Sequence, residues 1–158
     1  MKKLLFTLLF LTIGTAWGGA FEDGLAAYER KDYATAVKLW RPLAEQGNAF
    51  AQSNLGWMYD NGQGVLQDYK EAVKWYRLAA EQGHASAQAN LGVMYKNGQG
   101  VLQDYARAHM WYNLASAAGG SEYGTENRDK VAKQMTPQQI EKAQEMARAC
   151  QASNFKGC

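Results

Sequence analysis

The sequence predicts an all-α fold: a solenoid of helix-turn-helix repeats closed by a helical cap at its C-terminal end. Three observations point to it. Residues 51–83 reappear at 87–119 after a shift of 36 positions, with 22 of 33 residues identical. Within each copy, apolar residues recur at helical spacing. Past Gly119 the period fails and the chain turns polar. A fixed period of this length marks stacked units that bury a shared core between neighbours. Such a stack builds a surface rather than an enclosed pocket, which favours a binding scaffold over an enzyme.

Residues 1–20 read as a signal peptide. Lys2 and Lys3 form a positive n-region, and Leu4 to Ile13 is an apolar run too short to span a bilayer. Small residues then offer cleavage after Gly18 or Ala20. The alternatives are a retained membrane anchor or a buried first helix. No cysteine follows the apolar run, so a lipid anchor is not expected. Lys2 and Lys3 also account for the whole formal charge of +2; without them, 15 basic residues balance 15 acidic ones. No basic run remains, so neither nucleic acid nor an anionic membrane is an expected partner. About 138 residues are left, enough for one domain, 21–158. No second apolar segment exists, so the mature chain is expected to be soluble, and a monomer.

The domain divides into repeats at about 21–48, 49–84 and 85–120, with a cap at 121–158. The first repeat is degenerate: Gly24, Ala36, Trp40 and Gly47 match Gly56, Ala72, Tyr76 and Gly83. Its interhelix loop is four residues shorter than the later ones, and Pro42 is expected to kink or shorten its second helix. In the second repeat the first helix spans about Ala49 to Asn61, with a core stripe of Ala51, Leu55, Met58 and Tyr59. Gly56 sits mid-helix in both copies despite costing about 1 kcal/mol against alanine, which implies close helix approach. Gly62 and Gly64 end the helix, and Val65 and Leu66 are expected to tuck the loop onto the core. Asp68 is a good N-cap for the second helix, which buries Ala72, Trp75, Tyr76, Ala79 and Ala80 and ends at Gly83. The third repeat restates this with Ala87, Leu91, Gly92, Met94, Tyr95, Asp104, Ala108, Trp111, Tyr112, Ala115 and Gly119. In the cap, Ser121 to Gln134 is a polar helix. Thr136-Pro137-Gln138-Gln139 starts another, with Ile140, Ala143, Ala147 and Cys150 on its apolar face.

Cys150 and Cys158 form an even pair in a chain expected to meet an oxidising compartment, which suggests a disulfide. So short a ring would stabilise by about 2–3 kcal/mol and fold the tail onto the last helix. Two free thiols, or a redox pair, are the alternatives; the seven-residue gap argues against the latter.

The pattern A-x-x-x-L-G-x-M-Y-x-x-G-x-G-V-x-x-D-x-x-x-A-x-x-W-Y-x-x-A-x-x-x-G, present at 51–83 and 87–119, resembles the signature of the Sel-one-like repeat family, relatives of the tetratricopeptide repeats. The turn Lys31-Asp32-Tyr33 of the first unit looks more like a tetratricopeptide repeat. The resemblance implies a right-handed α/α superhelix that binds proteins or peptides. It also links exported bacterial members to envelope processes or host contact. Cysteine-rich relatives with a disulfide in each repeat are linked to β-lactam compounds; this chain has no cysteine within its repeats.

In such superhelices the first helix of each pair lines the concave face. The positions opposite the core stripe are Phe50, Ser53, Asn54, Trp57, Asp60 and Asn61 in the second repeat. In the third they are Ser86, Asn90, Val93, Lys96 and Asn97. Core positions match between copies, while these differ (Trp57 against Val93, Asp60 against Lys96). The groove is therefore a candidate peptide site, with Trp57 as its aromatic anchor and the asparagines reaching the peptide backbone. The alternative is that Trp57 packs against the preceding unit.

Catalytic signals are lacking. His84 lies in an inter-repeat turn, matching Asn48, and His109 replaces Val73 on a second helix. Neither has a second ligand at metal spacing, so no metal or cofactor is expected. There is no G-x-S-x-G or S-x-x-K, and the G-Q-G loops lack the lysine of a phosphate cradle. The sequence thus favours a non-enzymatic exported scaffold for protein or peptide partners in the bacterial envelope, in the periplasm or secreted. The alternatives are a cell-wall-related hydrolase or β-lactam-binding protein, and a secreted factor contacting host cells.

Overall fold

A computed structural model describes residues 19–119 and 122–158. The signal segment expected at 1–20 lies almost wholly outside the described residues. These begin with a helix, 19–29 (α1), followed by α2 (Tyr33–Glu45), α3 (Ala49–Asn61), α4 (Tyr69–Ala80), α5 (Ala85–Asn97), α6 (Tyr105–Gly119), α7 (Glu122–Ala132) and α8 (Pro137–Ala152). There is no strand among the described residues. Helices adjacent in sequence pack together from α2 to α7, so the chain is an all-helical solenoid, and α8 packs back on α6.

Each helix pair is locked by one device. The glycine of the first helix leaves a gap that an aromatic ring of the second fills. A Cβ at Gly56 would lie 2.7 Å from Tyr76 Cδ1, and one at Gly92 would lie 2.8 Å from Tyr112 Cδ1. Gly24 faces Trp40 in the same way. Trp40, Tyr76 and Tyr112 are buried, and they head the core with Leu55, Met58, Leu91, Met94 and Trp111.

The turns follow from their residues. Gly62 and Gly98 close α3 and α5 in the left-handed region, φ 65° and 70°, and their amides donate to the carbonyls of Met58 and Met94. Asp68 then accepts from the amides of Lys70 and Glu71 at 2.9 and 3.1 Å, capping α4. The shorter first loop, 30–32, is entered by Lys31 at φ 64°, where glycine would be favoured. Asn48 Oδ1 caps α3 through the Ala51 amide at 2.9 Å, and His84 Nδ1 caps α5 through the Ala87 amide at 3.3 Å.

The units are clasped to one another by a second set of repeated contacts. Gln52 and Gln88 donate to the carbonyls of Ala44 and Ala80, at 2.9 and 3.2 Å. Arg41 and Arg77 donate forward to the hydroxyls of Tyr59 and Tyr95, at 2.9 and 2.8 Å. Buried amides left unpaired would be costly, so each glutamine fixes how the next pair sits.

One sequence expectation is corrected, and of the two effects expected of Pro42 one is absent. Val65 is half-buried against the core, but Leu66 is 91 % exposed, as is Leu102 at 90 %. The loop turns one side chain of each Val-Leu pair inward and the other out. Pro42 does not shorten its helix: α2 has 13 residues against 12 in α4, with Pro42 on its exposed side.

In the cap, α7 approaches α6 through Gly124, where a Cβ would lie 3.1 Å from the Ser116 amide nitrogen. The expected capping box is present: Gln139 N donates to Thr136 Oγ1 at 3.3 Å and Thr136 N to Gln139 Oε1 at 2.8 Å. Cys150 and Cys158 are disulfide-bonded, with Cα atoms 5.6 Å apart. The tail they close places the Phe155 ring beside Gly83, at the turn between the second and third pairs.

Candidate functional site

Phe50, Asn54, Trp57 and Asn61 follow one another at helical spacing along the face of α3 opposite its core stripe. Trp57 is 42 % exposed, and its Nε1 donates to the Tyr28 hydroxyl of α1 at 3.2 Å. It therefore both touches the preceding unit and keeps an open ring face. Between α1 and α3 lies a pocket of about 260 Å³, lined by Leu25, Tyr28, Trp40, Asn54 and Trp57. Its base is Trp40, whose Nε1 is held by the Phe21 carbonyl at 3.3 Å. The ring therefore stays where the Gly24 gap admits it. Tyr28 stands 5.9 Å from Trp40 and 5.4 Å from Tyr33, ring centre to ring centre. The walls are thus aromatic and mutually braced.

Phe50 is 61 % exposed at the start of α3, edge-on to Phe21 at 6.2 Å and to His84 at 4.9 Å. It stands two helical turns from Trp57 on the same stripe.

The other predicted positions divide differently. Ser53 is buried. Asp60 accepts from the Tyr76 hydroxyl at 3.5 Å, and burial raises its carboxyl above the ordinary value, with that hydrogen bond opposing. Tyr76 also bonds to the Asn90 side chain, and burial beside Asp60 raises its phenol. Asn61 donates back to the Trp57 carbonyl at 3.0 Å, and Asn97 donates to Gln99 at 3.0 Å. Val93 is half-buried against the core of the third pair; Ser86 is exposed and Lys96 half-buried. Phe50, Asn54 and Trp57 therefore belong to one aromatic patch, whereas Asp60, Asn61, Asn90 and Asn97 already hold partners within the protein.

Leu25, Tyr28 and Trp40 are wall residues that the sequence reading left out of the site. The signal was present. Laying Gly24 over Gly56 and Gly92 puts Leu25, Trp57 and Val93 at one repeat position, and Tyr28 at that of Asp60 and Lys96.

Among the described residues, no group of three or more His, Cys, Asp or Glu side chains is placed to hold a metal ion. No described helix is long and apolar enough to cross a membrane.

The Sel1 repeat model matches residues 16–48, 49–84 and 85–120. Among solved structures, a protective antigen present in uropathogenic Escherichia coli strains, displaying an SLR fold, superposes with a TM-score of 0.82 at 32 % identity. The match covers 88 % of this chain and 31 % of that one. A Sel1 repeat protein from Oxalobacter formigenes superposes with a TM-score of 0.59 at 37 % identity, covering 62 % of this chain and 39 % of that one. This chain therefore spans well under half the length of either structure. No curated protein matches it.

Proposed function

The chain belongs to the Sel1 repeat family, a family of protein-interaction scaffolds, and from that premise we propose that it is an exported, non-enzymatic scaffold of the bacterial envelope. Its partner is a protein or peptide that inserts an apolar side chain between α1 and α3. One observation carries this reading. Trp57, hydrogen-bonded to Tyr28 and 42 % exposed, overhangs an aromatic pocket of about 260 Å³. Exposed tryptophan beside a preformed pocket is the usual composition of an interface anchor. Asn54 on the pocket wall supplies an amide for the partner's backbone. Export to the periplasm or beyond rests on the charged and apolar pattern of residues 1–20.

The test is photo-crosslinking from position 50 or 54 in envelope extract, with position 38 on the exposed side of α2 as control. A partner trapped from 50 and 54, absent from 38, and lost in Trp57→Ala at unchanged melting temperature is the expected result. Equal trapping by wild type and Trp57→Ala overturns the anchor role. A second reading, a secreted factor that meets host cells, draws on the description of the similar Escherichia coli protein as a protective antigen. Fractionation of producing cells separates the two.

A further inference from the structure

A cleft of about 400 Å³ opens in the C-terminal cap and shares no wall residue with the Trp57 pocket. Its floor is α6, through His109 and Asn113. One wall is α7, through Arg128 and Asp129, and the other is α8, through Gln144 and Arg148. We propose that this cleft binds the carboxylate of a small organic acid, with Arg148 as its counter-charge. This proposal does not depend on the peptide reading of the first two pairs.

The charges select the class of ligand. Arg128 is already neutralised: its Nε and Nη2 reach Asp129 Oδ1 at 2.9 and 2.8 Å. Arg148 has no acidic partner among the described residues. With His109 neutral, one uncompensated positive charge remains, which a monoanion balances. A guanidinium presents a planar fork that a carboxylate meets with two parallel hydrogen bonds. A phosphate dianion would bring surplus negative charge beside Asp129.

The floor carries the second observation. His109 borders the cleft yet is only 4 % exposed, and neither of its ring nitrogens has a hydrogen-bond partner among the described residues; Nδ1 is fully buried, as are several other unpaired polar atoms of the core. Buried polar groups are usually hydrogen-bonded, so a ring without any partner at the edge of a cleft calls for an explanation. Burial and the nearby Arg128 lower the imidazole pKa, with Asp129 opposing, which keeps the ring uncharged at neutral pH. The amides of Asn113 and Gln144 also lack protein partners among the described residues, and they can address hydroxyl or amide groups next to the carboxylate. In the preceding pair the two floor positions are Val73 and Arg77, although most of that stretch is otherwise the same. The floor histidine is thus peculiar to the one pair that carries α7 and α8, where an uncharged Asn113 also replaces Arg77. Its size suits a small molecule.

The test titrates the purified protein with N-acetylalanine, its uncharged amide and inorganic phosphate. Nuclear magnetic resonance follows the Arg128 and Arg148 Nε–H groups and the His109 ring. Saturable shifts at Arg148 and His109 with N-acetylalanine, none with the amide, and a loss of about tenfold or more in Arg148→Gln are expected. His109→Val restores the residue of the preceding pair, so it should fold and still bind more weakly. A free tripeptide compared with its C-terminal amide tells a peptide terminus from a small acid as the source of the carboxylate. No saturable shift at about 10 mM ligand, equal binding of acid and amide, tighter binding of phosphate, or indifference to Arg148→Gln overturns the proposal.

Discussion

Gly56→Ala is the substitution on which local and tertiary forces disagree most sharply. Alone in a helix, alanine is favoured over glycine by about 1 kcal/mol. Here the added methyl would lie 2.7 Å from Tyr76 Cδ1 and 2.8 Å from Cε1. Real contacts do not approach so closely, so either the ring or the helix must move. Tyr76 has little room to withdraw: it is fully buried, and its hydroxyl lies 3.5 Å from Asp60 Oδ2. Overpacking costs about 1–3 kcal/mol, and against a buried ring with so little room to withdraw the upper half of that range, about 2–3 kcal/mol, applies. The tertiary term therefore wins, leaving a net loss of about 1–2 kcal/mol after the propensity gain. That corresponds to a fall in melting temperature of about 3–6 °C for a domain of this size. Urea unfolding followed by circular dichroism gives the free energy directly. Gly92→Ala, whose methyl would meet Tyr112 Cδ1 and Cε1 at 2.8 Å, should behave alike. Gly119→Ala, with nothing within 4 Å of its Cβ, should change stability by less than about 0.5 kcal/mol. A Gly56→Ala protein as stable as wild type would refute the idea that the ring and the glycine are mutually fixed.

Three further outcomes are expected. Burial holds the His84 imidazole below its ordinary pKa, and its Nδ1 must be unprotonated to accept from Ala87. Because the folded-state pKa lies below the unfolded one, stability is full above about pH 6.5 and falls as the pH drops through the folded value. Melting temperatures against pH should show this decline, flattened in His84→Asn, which copies the Asn48 cap. Reducing the disulfide, or Cys150→Ser with Cys158→Ser, should cost at most about 2–3 kcal/mol. Hydrogen exchange should then rise in the tail and at the 81–84 turn that Phe155 covers, and not in α1 or α2. Leu66→Ser and Leu102→Ser, at sites 91 % and 90 % exposed, should leave urea unfolding within about 0.5 kcal/mol of wild type.

What the sequence disclosed was whatever repeats or caps locally. Asp68 and Thr136 announce their helices because an N-cap side chain serves the amides two or three residues on. Cys150 and Cys158 pair within one short segment. The Gly56 gap was legible as a glycine kept against its propensity, though not the tyrosine that fills it. Leu66 misled, because apolarity predicts burial on average and says nothing of which neighbour a loop turns inward. Asp60 looked like a groove residue on its own helix, yet its partner Tyr76 comes from the next one. Trp57 had two readings: the contact with the preceding unit is there, through Tyr28, while the ring stays 42 % exposed and the anchor role rests with the crosslinking test. The cleft around His109 lay beyond any periodic argument, because it needs three helices, two of them outside the repeats.

The paired clasps, Arg41 to Tyr59 with Gln52 to Ala44, and Arg77 to Tyr95 with Gln88 to Ala80, stand 36 residues apart on every member. At the next step the arginine gives way to Asn113, and the series stops. Each seam is thus an interchangeable coupling between wagons, set by the joint and not by the loop inside each one. A gene that lost or duplicated one whole period between equivalent positions would still join every coupling to its mate. A change in length between Ala44 and Gln52, or between Ala80 and Gln88, would instead leave a buried glutamine facing the wrong carbonyl, so the joints, and not the loops inside each pair, hold the measure of this chain.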